Sequence, residues 1–152
     1  MKRLLCALTA LLLLFSCASA SVRIGFEDGF SLELPDGWLH YEPSADMLEQ
    51  GVLYCLSDAE ASRWLHIQCW NSDCADSEEL KELILSTSKP HSAALYNFGG
   101  TDFVVYDLSQ GDTSCSAAII GGRVYNFVFN PQSDSEFMAQ AAQILASFEL
   151  SK

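Results

Sequence analysis

Cys55, Cys69, Cys74 and Cys115, the histidines His40, His66 and His91, and one dense run of carboxylates are the side chains that could do chemistry. His66, Cys69 and Cys74 stand at roughly zinc-like spacing. A metal would need them on one side of the backbone. Residues 64–70 alternate instead: Leu65, Ile67 and Cys69 fall on one face, Trp64, His66, Gln68 and Trp70 on the other. His66 and Cys69 therefore point apart, and no fourth ligand lies nearby. Asp73, Asp76, Glu78 and Glu79 crowd four carboxylates together, but without the spacing or the glycine of an EF-hand loop. They read better as the acidic first turn of a helix. Ser109, Ser114 and Ser116 lack a Gly-x-Ser-x-Gly elbow. Cys115 could pair with a histidine as a nucleophile, yet no local motif brings the two together. No metal, cofactor or catalytic set is read from the chain.

The elements that must position these residues are mostly strands. Asp28-Gly29 separates Val22–Glu27 from Phe30–Leu34. Gly99-Gly100 separates Ala93–Phe98 from Thr101–Leu108, and Gly121-Gly122 separates Cys115–Ile120 from Arg123–Phe129. Each pair suits a two-residue hairpin, whose turn needs positive φ. A fourth hairpin joins Val52–Leu56 to Trp64–Trp70 through a longer loop. Two segments change to helical spacing. Asp76 and Glu79 form a capping box for a helix that ends near Ser88, before Lys89-Pro90. Ser133 and Glu136 form a second box, followed by the stripe Phe137, Met138, Ala141, Ile144, Leu145 and Phe148. Antiparallel hairpins covered by helices make an α+β fold, a mostly antiparallel sheet in an α/β/α sandwich.

The first twenty residues read as a signal peptide. Lys2 and Arg3 precede the apolar run Leu4–Phe15, and Ala18-Ser19-Ala20 supplies the small residues that a signal peptidase reads. Cleavage leaves one domain, 21–152, exported to a secreted or extracytoplasmic location. Cys17 offers the alternative: Leu14-Phe15-Ser16-Cys17 is a poor lipobox, and lipidation there would make a membrane-anchored lipoprotein. Loss of Lys2 and Arg3 leaves six basic side chains against 20 carboxylates, a net charge of −14. Such a surface repels phosphates, so nucleic acid is a poor partner. Contact with a membrane would require the lipid on Cys17. Four cysteines remain beyond the leader, and an even count in an exported chain suggests two disulfides. Cys69–Cys74 and Cys55–Cys115 is the expected pairing, one of three possible.

The phrase Phe30-x-Leu32-x-Leu34-Pro35-x-Gly37-Trp38 resembles the strand-to-turn wording of the PsbP-like family. Gly99-Gly100 followed by an aromatic strand is similar too. So is Ile119-Ile120, a glycine turn, Tyr125–Phe129, and a last helix ending Ile144-Leu145-Ala146-Ser147-Phe148. The likeness covers about residues 22–150. It implies an α/β/α sandwich and an accessory or binding role. It transfers no functional residue, because members share no active site.

Aromatic residues carry the best sign of a binding surface. Trp38, Tyr41, Trp64 and Trp70 sit at turns or off the core face of a strand. Trp64, His66 and Trp70 project from one face: core if the middle helix covers it, a contact patch if the face is open. The expectation is an exported accessory or binding module for a protein or cell-envelope ligand. An enzyme using Cys115 or an acidic cleft, or a cation-binding lipoprotein, is the alternative.

Overall fold

A computed structural model describes residues 21–108 and 111–151; the expected signal peptide, Cys17 and Ser109 lie outside the described residues. Strands β1 (Ser21–Phe26) and β2 (Phe30–Pro35) form the first hairpin. Then come β3 (Leu39–Tyr41), helix α1 (Ala45–Glu49), β4 (Val52–Ser57) and β5 (Trp64–Asn71). Helix α2 (Ser77–Thr87) precedes the strands β6 (Ala93–Phe98), β7 (Thr101–Asp107), β8 (Ser114–Ile120) and β9 (Arg123–Asn130). Helix α3 (Ser135–Ala146) and the short β10 (Glu149–Leu150) finish the chain.

The strands divide into two sheets. Seven make an antiparallel sheet in the order β3-β4-β5-β9-β8-β7-β6, and three make a small sheet, β1-β2-β10. The small sheet and α3 pack on one face of the large sheet through Phe30, Leu32, Phe127, Phe137 and Phe148. Helix α2 packs on the other through Leu80 and Ile84, against Val104, Ala117 and Val128. The result is an α+β sandwich whose central strand, β9, is buried on both faces. Tyr125, Phe127 and Phe129 enter the first core, while Val124 and Val128 enter the second. That split follows directly from the two-residue period of a strand.

Helix α2 starts at the expected N-cap, with the return bond of the box one residue earlier than the pattern suggests. The Asp76 carboxylate accepts the Glu79 N–H at 3.0 Å, and Glu79 reaches back to the Ala75 N–H at 2.8 Å. Helix α3 starts one residue later than the Ser133–Glu136 pattern suggests. Its N-cap is Asp134, which accepts the Glu136 and Phe137 N–H groups, both at 3.0 Å. Ser133 is taken by Asp112, which accepts its N–H at 2.7 Å and its hydroxyl at 2.5 Å. A partner 21 residues upstream, invisible to a local pattern, displaces the serine from the cap.

The glycine turns differ as well. Gly99-Gly100 and Gly121-Gly122 both have positive φ at each position, as a two-residue hairpin needs. The first hairpin has a three-residue loop, 27–29, since Phe26 pairs with Phe30 and only Gly29 is left-handed. Gly99 carries a second constraint. A Cβ there would collide with the main-chain carbonyl of Phe148, at the end of α3, whereas one on Gly100 would meet open space.

Substitution therefore separates turn strain from close approach. Gly100→Ala should cost about 1 kcal/mol from the left-handed backbone alone. Gly99→Ala should cost roughly 3 kcal/mol, because a backbone contact must also open. Urea midpoints measure both; equal losses would mean that the Gly99–Phe148 approach does not matter.

Candidate functional site

Strand β5 presents Trp64, His66, Gln68 and Trp70 to the α2 side of the large sheet, with Leu65, Ile67 and Cys69 turned into the aromatic core. Helix α2 lies mainly over β6 and β7, at one edge of that face. The opposite third, made by β3, β4 and β5, lies away from α2; its edge strand β3 is exposed, while Cys55 and Ser57 on β4 are buried. Two cross-strand rows run over it: Leu39–Ser57–Trp64 and Tyr41–Cys55–His66. Trp64 and His66 stack with ring centroids 4.1 Å apart. Leu39 is 46% exposed and Tyr41 41%. Ser57 is buried within the first row; its hydroxyl donates to the Asp58 carbonyl at 2.8 Å and accepts from Tyr41 Oη at 3.1 Å. Burial lowers the pKa of His66, so the ring is neutral at neutral pH. The outcome is a solvent-facing apolar strip with an aromatic stack at its inner margin.

Trp70 shares the face but not the strip. Six residues along an extended strand place it about 20 Å from Trp64. It lines a separate shallow cleft of about 600 Å³ with Asn71, Cys74, Glu79 and Leu83. Trp38 is on the other side of the sheet, its ring 6.0 Å from that of Phe137. The residues that sequence reasoning missed are Leu39 and Leu48, which no periodic pattern flags. Leu48 is exposed on α1, beside β4.

The expected disulfides are absent: Cys55, Cys69, Cys74 and Cys115 are all free thiols. The reason is geometric. Cys69 belongs to the aromatic core and Cys74 packs with the cluster under α2, on opposite faces of the sheet. Cys55 and Cys115 share a face and a cross-strand row, through His66 and Val128. Three strand spacings put them about 14 Å apart, far beyond the Cα separation of a disulfide. An even cysteine count carries no information about faces.

The other candidate clusters are likewise dispersed. His66 and Cys69 open on opposite faces, and among the described residues no group of three His, Cys, Asp or Glu side chains could hold a metal. Asp76 and Glu79 are occupied by the helix start, and Glu78 pairs with Lys81 at 3.2 Å. Cys115 lies against Tyr106 and Asn126, where burial pushes its thiol from the ordinary 9.0 up to about 11. A nucleophile needs the opposite shift. Its nearest histidine in the row, His66, is two strands away.

One polar cluster was hidden behind a turn signal. Tyr54 and Tyr125 both donate their hydroxyls to the Asp28 carboxylate at 2.7 Å, and Arg123 approaches it at 3.8 Å. Asp28 thus clamps the first hairpin onto β4 and β9. Burial, then the bond to Asp28, pushes the Tyr54 phenol up to about 12 and raises Tyr125 as well. Both phenols are fixed donors, which suits a structural clamp.

Two measurements on residues 21–152 check this arrangement. Unreduced protein in denaturant should show four reactive thiols; when folded, the half-buried Cys74 should react first and Cys115 last. Two missing thiols would restore a disulfide. Second, the Cys115 thiol keeps its proton in the native state above the pH at which the unfolded chain loses it. Its contribution is complete below pH 9 and is lost as pH rises from about 9 to about 11. In urea titrations the stability gap between wild type and Cys115→Ala should shrink by about 2 kcal/mol across that window. A gap that stays constant would refute the burial argument.

No protein-family model matches the chain. No curated protein matches it either. Solved structures do. The solution structure of cyanobacterial PsbP (CyanoP) from Synechocystis sp. PCC 6803 is similar with TM-score 0.59 at 13% identity, over 89% of this chain and 95% of that one. A crystal structure from Bacteroides thetaiotaomicron VPI-5482 is similar with TM-score 0.55 at 16% identity, over 86% of this chain and 48% of that one. The chain therefore spans about half the length of that second protein. At such identities the likeness is one of architecture: the chain has a PsbP-like fold, an α+β sandwich.

Proposed function

We propose that residues 21–152 form an exported accessory or binding module that docks a protein or cell-envelope ligand through the strip formed by Leu39, Tyr41, Trp64 and His66. The observation that carries this reading is the exposed edge of the large sheet at β3, beside the Trp64–His66 stack. An aromatic stack rimmed by two exposed apolar side chains has the composition of an interface hot spot. Cys55 and His66 are cross-strand neighbours, but burial raises the pKa of the Cys55 thiol and lowers that of the His66 ring, and the remaining candidates are dispersed or bound up in helix caps, which favours a non-catalytic role. The acidic balance of the chain favours a neutral or basic partner over nucleic acid.

Export rests on the leader. Among the described residues no helix is long and apolar enough to cross a membrane. Release at Ser21 is the reading adopted, with lipidation of Cys17 as the alternative outcome of an intact-mass measurement on protein from the native host.

The test of docking is site-specific photo-crosslinking in that host. A photoreactive side chain at Leu39 should capture a discrete partner; one at Gln143, on the exposed flank of α3, should not. Leu39→Asp, at an exposed position, should preserve the fold and weaken capture through Tyr41 at least 30-fold, the scale of a hot-spot loss of about 2 kcal/mol. Equal capture from both sites, or capture indifferent to Leu39→Asp, would overturn the assignment of this face.

A further inference from the structure

On the face opposite that strip, a cleft of about 270 Å³ opens between α3 and the β6–β7–β8 corner of the large sheet. Its cause is a local shortage of side-chain volume. Phe137, Ile144 and Phe148 fill the layer over the rest of that face. At this corner α3 places Ala141 and Ala142 between Met138 and Leu145, and β8 offers Ser114 and Ser116. Small residues face small residues, so the layers do not close.

The walls are chemically distinctive. Phe98, Val105, Met138 and Leu145 make them apolar, and Tyr96, 54% exposed, stands at the mouth on the edge strand β6. Among the described residues no charged side chain lines the cleft. Ser116 is only 1% exposed and lines the floor of the cleft. The whole chain is strongly acidic, with net charge −12 before any processing. An anion entering an uncharged apolar cleft would lose its hydration, gain no counter-charge and meet a repulsive field.

We propose that this cleft is a binding site for a small uncharged amphiphile, a short acyl chain or single ring carrying one hydroxyl or carbonyl. Size sets the scale. An apolar cavity of about 150 Å³ takes benzene, so this one suits about ten non-hydrogen atoms. The apolar body lies along Phe98, Met138 and Leu145, and the polar atom exchanges a hydrogen bond with Ser116. Such pockets, apolar with a single orienting polar group, are the usual form of small-ligand sites.

The experiment titrates 1-octanol and octanoate separately into isotope-labelled residues 21–152 by NMR. Saturable octanol binding is expected, with intermolecular contacts to the Met138 methyl and octanoate at least tenfold weaker. Ala142→Phe adds a ring at the exposed rim of the cleft and should weaken octanol at least tenfold while leaving the spectrum folded. Ser116→Ala should weaken octanol about two- to tenfold, the value of one hydrogen bond. Shifts spread over the surface without Met138 contacts, or affinity unchanged in Ala142→Phe, would overturn the site. Equal affinity for octanoate would overturn the uncharged ligand class, and unchanged affinity in Ser116→Ala would overturn the role of the hydroxyl.

Discussion

Four phenylalanines hold this molecule together. Phe30, Phe103, Phe127 and Phe148 have no exposed surface and meet one another at centroid distances of 5.2–6.2 Å. They come from β2, β7, β9 and the residue just beyond α3, so one cluster joins the small sheet, the large sheet and the last helix. Most of the contacts are edge-to-face, which adds specific geometry to the area each ring buries. Phe148 can reach the cluster only if the chain leaving α3 passes close to the β6–β7 turn. Gly99 permits that passage.

Polar ties then fix the layers laterally. Asp28 clamps the first hairpin onto β4 and β9 through two phenols. Arg63, in the loop before β5, bonds Asp134 at the start of α3 at 2.7 Å and lies over the Phe137 ring. The bond to the Phe137 N–H, then Arg63, lowers the pKa of Asp134, so the cap stays ionised and keeps its grip on the helix start. These ties anchor elements that the aromatic cluster alone would leave free to slide.

Anchoring of this kind leaves two parts of the large sheet uncovered, and both candidate sites are such remainders. Helix α2 is displaced toward β6 and β7, and at the far edge of the sheet β3 stays exposed. Helix α3 sets Ala141 and Ala142 against Ser114 and Ser116 of β8 at the opposite corner, so a cleft remains. The two surfaces lie on different faces of the sheet, and occupation of one does not block the other. Among the described residues neither places a thiol, carboxylate and imidazole together.

Much of this was legible in the residues themselves. Period-two alternation in 64–70 and 125–129 assigned each side chain to its face, because a strand has no other way to arrange them. Asp76 and Glu79 located α2, and the stripe from Phe137 to Phe148 identified α3, because capping and amphipathicity are local. Interactions over long sequence separation escaped. Asp112 taking Ser133 from the cap, Tyr54 and Tyr125 converging on Asp28, and β10 pairing with β2 to split off a second sheet all depend on tertiary register. The cysteines show the boundary most sharply. Their number was visible, but whether two of them can meet depends on which face and which strand each occupies. The sequence by itself determined element types and faces; only the packed sheets decided which of those faces stay open.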